Sequence, residues 1–166
     1  MTATNQRSNF DEWYKVTYPR LVVSLIAAFG DPDLPYEAAA EAMAQTYEQW
    51  ATVSEMESPD GWVYRVATNV ARKKIRRKNI ERRILFKSRS LPQVSGPAGE
   101  IWLLVADLPE RQRLAVVLRH VGHLSESDVA QTMGITRGTV SATLRAAYRS
   151  LRTALDEPYP TTESAL

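Results

Sequence analysis

The chain has no cysteine among its 166 residues. That absence excludes a disulfide framework, a thiolate metal site and a cysteine nucleophile, and it suits a reducing, cytoplasmic setting. Long apolar runs are also missing: nothing approaches the roughly 20 residues a membrane span needs, so no membrane insertion is expected. The first ten residues lack a basic segment followed by an apolar core and are not expected to act as a secretion signal. There is no glycine-rich phosphate loop, no nucleophile beside a base and no acidic cluster spaced for a metal. These gaps argue against an enzyme and against a cofactor. The two histidines, His120 and His123, stand three apart at a helix end. With no third ligand nearby they read as surface or capping groups. Hydrophobic residues make up 44% of the chain, which is ordinary for a globular protein.

Acids are scarce in one stretch only. Residues 1–60 hold ten acids against Arg7, Lys15 and Arg20, whereas residues 61–90 hold Glu81 alone against eleven lysines and arginines. The net charge of +2 hides this division. An acidic front and a basic middle point to two partners, one of them a polyanion.

The basic stretch is organised as a helix. Ser58 can cap it, Pro59 fits its first position and Asp60 suits the positive end of the dipole. Trp62, Val66 and Val70, flanked by Val63, Ala67 and Ala71, form an apolar stripe. Arg65, Asn69, Arg72 and Arg76, with Thr68 and Lys73 beside them, form a polar face suited to nucleic acid. A merely solvated basic face is the plain alternative. Before it, residues 10–29 read as a core helix that Pro19 should kink. Residues 36–50 read as an alanine-rich helix whose apolar stripe includes Tyr47 and Trp50, with Glu37, Glu41, Gln45, Glu48 and Gln49 left polar. Residues 51–57 read as a loop, and residues 88–99, rich in proline and glycine, as a flexible linker.

After the linker, Ile101, Leu103, Leu104 and Val105 suggest a short helix, and Leu114, Val117, Leu118 and Val121 another that Gly122 ends. Ser125 and Asp128 make a capping box for residues 126–133, Gly134 suits a tight turn, and Thr136 caps a second helix into which Val140 packs. Ala130, Gly134 and Val140 at these spacings mark a helix-turn-helix, although a structural helical hairpin shares the spacing. Its outward residues are Arg137, Thr139, Ser141, Ala142 and Arg145, with Arg149 and Arg152 further along. The N-terminal ones suit base edges, where an arginine can pair with guanine, and the later arginines suit phosphates. The expected fold is all-α: two small helical domains, residues 1–87 and 100–156, joined by the linker and followed by a tail, residues 157–166.

Four segments carry a family resemblance: Glu37 and Glu41-Ala42 through Tyr47-Glu48-Gln49-Trp50; Trp62-Val63-Tyr64-Arg65-Val66-Ala67-Thr68-Asn69-Val70-Ala71; Leu108-Pro109-Glu110-Arg111-Gln112-Arg113; and Leu124-Ser125 through Gly138-Thr139-Val140. In this order they resemble the extracytoplasmic-function sigma factors of bacterial RNA polymerase. The resemblance implies that Glu37, Glu41, Gln45, Glu48, Gln49 and Trp50 bind the β′ clamp helices of core polymerase. It implies that the loop before Trp62 captures a flipped base and that Arg65, Thr68, Asn69, Arg72, Lys73 and Arg76 read and melt the −10 element. Residues 88–99 would thread toward the active-centre cleft and RNA exit path. The second domain would sit near the β flap, with Arg137, Thr139, Ser141, Ala142, Arg145 and Arg149 reading the −35 element. An anti-sigma factor is a further implied partner. Ser141, Thr143 and Ala146 stand where the family usually has basic residues, which implies a weaker phosphate grip. Tyr36 and Pro35 replace the usual acidic and small residues at the start of the clamp-binding helix.

Two rival readings remain at this point. A helix-turn-helix repressor or activator acting without polymerase explains residues 100–155 but leaves the front half without a purpose. An interaction protein whose alanine-rich helix binds a regulator leaves the basic helix as solubilising surface. Single strands are tracked by stacking rings within basic grooves, and Tyr64 and Trp62 are the candidates here.

Overall fold

A computed structural model describes residues 3–31, 33–82 and 97–156, with side chains described for residues 9–31, 33–78 and 101–156. Among the described residues there are eight helices and no strand: α1 Ala3–Phe29, α2 Leu34–Glu48, α3 Trp50–Val53, α4 Pro59–Arg82, α5 Pro97–Asp107, α6 Glu110–His120, α7 Glu126–Met133 and α8 Arg137–Asp156. No described helix is long and apolar enough to cross a membrane. The expected linker lies outside the described residues except for its last three positions, which open α5, and the tail lies outside them entirely.

Helix α1 runs through Pro19 without the expected break. Pro19 is exposed, and so is Lys15, the residue whose carbonyl it leaves without an amide partner. Asp31 then starts α2: its Oδ1 accepts from the amides of Leu34 at 2.9 Å and Asp33 at 3.1 Å, and its carboxylate pairs with Lys78 at 3.2 Å. Burial alone would raise the Asp31 carboxyl, but those amides and the Lys78 ammonium outweigh it and hold the group below the ordinary carboxylate value. Residues 50–53, expected as part loop, form one helical turn. The Gln49 carbonyl accepts from the amides of Thr52 and Val53, both at 2.9 Å, and Trp50 and Val53 are buried against Phe10.

Helix α4 is capped as expected, Ser58 Oγ accepting from the Gly61 amide at 2.9 Å. Its deepest stripe, however, is Val63, Tyr64, Ala67 and Ala71, while Trp62, Val66 and Val70 are only half-buried. Small side chains decide this. Ala38, Ala39 and Ala42 of α2 and Ala67 and Ala71 of α4 are all sealed from solvent, which lets the two helices approach closely. Tyr64 is likewise sealed, its hydroxyl 3.1 Å from Ser24 Oγ, so it is no stacking platform for a base.

In the second half, α6 buries Arg113 through Leu118. On α5, Val105 is buried while Ile101 and Leu103 are about half exposed, so the expected apolar stripe is narrower than the sequence reads. Gly122 ends α6 for a reason other than a positive φ, which belongs to His123 at 54°. A side chain at Gly122 would meet the Leu118 carbonyl at 2.7 Å and the Tyr64 ring at 3.0 Å. The positive φ of the helix-turn-helix is at Gly134, 67°, where an added Cβ would meet nothing within 4 Å. Gly134→Ala therefore adds backbone strain without a clash. It is expected to lower stability by about 1 kcal/mol, with Gly134→Asn costing less. Urea unfolding checks both values.

One hydrophobic cluster runs through both halves, with α4 lying on α7 and α1 on α6. Arg113, 8% exposed, joins them: its Nε donates to the Ala28 carbonyl at 2.8 Å and its Nη1 to the carbonyls of Ala106 at 2.8 Å and Leu108 at 3.3 Å.

Candidate nucleic-acid and protein interfaces

The polar face of α4 emerges from two kinds of lysine and arginine. Lys74 pairs with Glu37 at 3.0 Å and Glu41 at 3.8 Å, and Lys78 pairs with Asp31, so these two cations are answered by the acidic start of α2. Among the described residues, Arg65, Arg72, Lys73, Arg76 and Arg77 enter no ion pair. Asn69, Lys73, Arg76 and Arg77 are exposed, and Arg65 and Arg72 half-buried. Charge left without an internal partner is what a polyanion requires. Thr68 is the exception in the expected set: it is fully buried, its hydroxyl without a hydrogen-bond partner, because it lies one residue from the Ala67 packing line.

The start of α4 is fixed by a residue the sequence marks only as a dipole complement. Asp60 accepts from Trp13 Nε1 at 2.7 Å and Thr17 Oγ1 at 3.3 Å, and pairs with Arg20. These partners are forty or more positions away, so no local pattern reveals them. The network ties the turn before α4 to α1.

On α2, Glu37, Glu41, Glu48 and Gln49 are exposed and Gln45 half-buried. Trp50 does not share that surface. It is 6% exposed, its ring 5.2 Å from Phe10 and 4.9 Å from Trp13, and so belongs to the core. Tyr36 and Tyr47 take its place as exposed aromatics, at 53% and 47%. Sequence periodicity puts Thr46 and Tyr47 both on the buried side; Thr46 is sealed there, its hydroxyl bonding the Ala42 carbonyl at 2.7 Å, while Tyr47 is not. Acids interleaved with tyrosines make a surface suited to a protein partner.

The helix-turn-helix closes as its residues dictate. Ser125 Oγ accepts from the Asp128 amide at 3.1 Å, and Thr136 Oγ1 accepts from the Thr139 amide at 3.1 Å. Ser141 is half-buried and donates to Glu126 Oε2 at 2.7 Å, so its hydroxyl is engaged within the fold. Arg137, Thr139, Ala142, Arg145 and Arg149 are exposed. Ala142, Arg145, Tyr148, Arg149 and Arg152 line one basic depression of about 540 Å³. His120 Nε2 lies 2.7 Å from the Tyr148 hydroxyl, tying α6 to α8, and burial, with Arg119 and His123 adding to it, holds the imidazole below its ordinary pKa. Among the described residues no group of three or more histidines and carboxylates could hold a metal.

Residues 98–151 match the family model described as sigma-70, region 4. The chain is 28% identical over 153 residues to an RNA polymerase sigma-E factor of Streptomyces coelicolor, covering 86% of this chain and 84% of that protein. It is 29% identical over 131 residues to one of Streptomyces antibioticus, covering 76% and 73%. The fold is similar to the sigma factor RpoE solved in complex with the anti-sigma factor NepR from Bartonella quintana, with a TM-score of 0.75 at 16% identity over 89% of this chain and 96% of that one. It is also similar to CnrH in complex with the cytosolic domain of CnrY, with a TM-score of 0.60 at 14% identity over 90% and 89%. An all-helical fold matched along nearly its whole length, a region-4 helix-turn-helix and sigma-E relatives spanning both halves agree: the chain is similar throughout to sigma factors of RNA polymerase, and its residues 98–151 belong to the sigma-70 region 4 family.

Proposed function

We propose that this sigma factor docks on core RNA polymerase through the exposed face of α2 and directs it to promoters with two elements. Glu37, Glu41, Gln45, Glu48 and Gln49, joined by Tyr36 and Tyr47, meet the β′ clamp helices. Arg65, Asn69, Arg72, Lys73 and Arg76 engage the −10 element as its strands part. Arg137, Thr139, Ala142 and Arg145 face the −35 duplex, and Arg149 grips its phosphates near the β flap. Residues 1–87 and 100–156 act as two readers, and the work is binding, not catalysis. Function on polymerase puts the chain in the cytoplasm, at the nucleoid when bound. An anti-sigma factor is the natural regulatory partner, since the solved sigma factors of similar fold are held by proteins of that kind or by a cytosolic domain.

The observation that supports this reading best is the split on one packed helix pair. Asp31 and the acidic face of α2 answer two lysines of α4 and leave its arginines unpaired, so adjoining surfaces suit a protein and a polyanion. Affinity capture with purified core polymerase and no DNA tests it. Retention is expected, and Glu41→Lys should weaken it by about tenfold. Binding to promoter DNA with no retention on core enzyme would instead support a free-standing repressor or activator.

A further inference from the structure

We propose, on the docking reading given above, that Lys74 sets the affinity of the chain for core polymerase by competing with the polymerase's own cations for Glu37 and Glu41.

Helix α2 carries no lysine or arginine between Leu34 and Glu48. Glu37, Glu41, Gln45 and Glu48 recur at helical spacing, so its outer row is acidic with no cation of its own. The cation comes from α4, the helix packed against it. Lys74 follows Ala71 by three positions and Ala67 by seven, which continues the line that α4 buries on α2. That places it about half a helical turn away from Arg65, Asn69, Arg72 and Arg76. Its Nζ donates to Glu37 Oε2 at 3.0 Å and lies 3.8 Å from Glu41 Oε2. Lys74 is therefore turned from the nucleic-acid face and joins the face suited to a protein.

One turn further along, Lys78 supplies the contrast. Its partner Asp31 is only 12% exposed at the side chain and already accepts from the amides of Leu34 and Asp33. That pair belongs to the fold. Glu37 and Glu41 instead keep 60% and 48% of their side chains in solvent, and among the described residues no other cation pairs with either. Glu37 also lies in the first turn of α2, where the helix dipole already favours a carboxylate, so the helix does not depend on Lys74.

Exposed ion pairs of this kind are weak and exchange readily, each shifting an equilibrium by up to about fivefold. A docking cation that takes Glu37 or Glu41 must displace Lys74, and it then stands beside an ammonium of its own sign. Both effects oppose the complex. The chain thus binds core more weakly than its acidic row alone would allow, and removing Lys74 acts opposite in sign to removing the acids.

Equilibrium titration of the labelled full chain with purified core polymerase, without DNA, tests this. Lys74→Gln is expected to lower Kd by about threefold to tenfold. Its binding should also depend more steeply on salt, because docking then adds ion pairs instead of exchanging them. Lys74→Arg, which keeps the charge, should stay within about twofold of wild type, as should Lys78→Gln. In a chain carrying Glu37→Gln and Glu41→Gln, Lys74→Gln should lose most of its effect. Circular dichroism verifies that each variant is folded. If Lys74→Gln misfolds, Lys74→Met, which keeps the aliphatic stem, replaces it with the same expectation. Unchanged or weaker binding by the folded variant overturns the proposal, and so does full tightening that survives loss of both acids. A wild-type chain that core polymerase does not retain defeats the docking reading itself, a different result from retention that is indifferent to Lys74.

Discussion

Replacing Arg113 with alanine is expected to destabilise the chain by about 3 kcal/mol. The guanidinium is 8% exposed and donates to the carbonyls of Ala28, Ala106 and Leu108. Removing it strands those acceptors in a buried site, where each charge-assisted hydrogen bond is worth roughly 1.5–3 kcal/mol and water cannot replace all of them. For a domain of this size the loss corresponds to a fall in Tm of roughly 10 °C. Arg113→Lys should recover only part of it, because an ammonium cannot fork across three acceptors as the planar guanidinium does. Thermal unfolding followed by circular dichroism measures both. A loss below about 1 kcal/mol for the alanine variant would show that Arg113 does not bind the two halves together.

The second large effect concerns promoter opening. Converting Arg65, Arg72 and Arg76 together to alanine is expected to reduce open-complex formation on duplex promoter by roughly 100-fold to 1,000-fold. That range follows from about 1.4 kcal/mol, or tenfold, per charge-assisted interaction, discounted because neighbours on one strand are not independent. The salt dependence should change with it. Each phosphate that goes unneutralised on a single strand makes the log–log slope shallower by about 0.7, so by about 2 for three. Asn69→Ala separates strand opening from simple attraction. Asparagine carries no charge, so its removal should slow opening of duplex promoter while affecting a pre-melted template less and leaving the salt slope alone. Equal losses on both templates would assign Asn69 to binding only.

What was legible in the sequence was whatever depends on near neighbours. The helix-turn-helix is specified by a cap, a left-handed glycine and a second cap within a dozen residues, and Ser125, Gly134 and Thr136 take those positions in the structure. The polar row on α4 was legible for the same reason, since an arginine every three or four residues names its own face. Depth was harder. Hydropathy favours Trp62, Val66 and Val70, yet Ala67 and Ala71 go deeper because close helix approach rewards small side chains over oily ones. Thr68 followed them inward, and Trp50 was drawn into a ring cluster with Phe10 and Trp13 of α1. Least legible were links across long separations. Asp60 gathers Trp13, Thr17 and Arg20, and Arg113 reaches back 85 positions to Ala28. Arg113 does fall within the Leu108–Arg113 motif, so the family pattern marked the residue while only the fold shows what it holds.

The domain organisation carries the same lesson for function. A linker rich in proline and glycine reads as the joint between two small helical modules. In the structure those two halves also meet along one core, where the cap of α7 and the cap of α4 share a single carboxylate.

Initiation is the activity on which everything else depends. Run-off transcription with the purified chain, bacterial core polymerase and a library of genomic promoter fragments measures it directly. The expected result is a set of transcripts with defined start sites that vanish when the chain is omitted and whose templates share two elements upstream of the start. If the chain binds DNA yet adds no promoter-dependent transcript to core polymerase on any fragment, the central claim is contradicted.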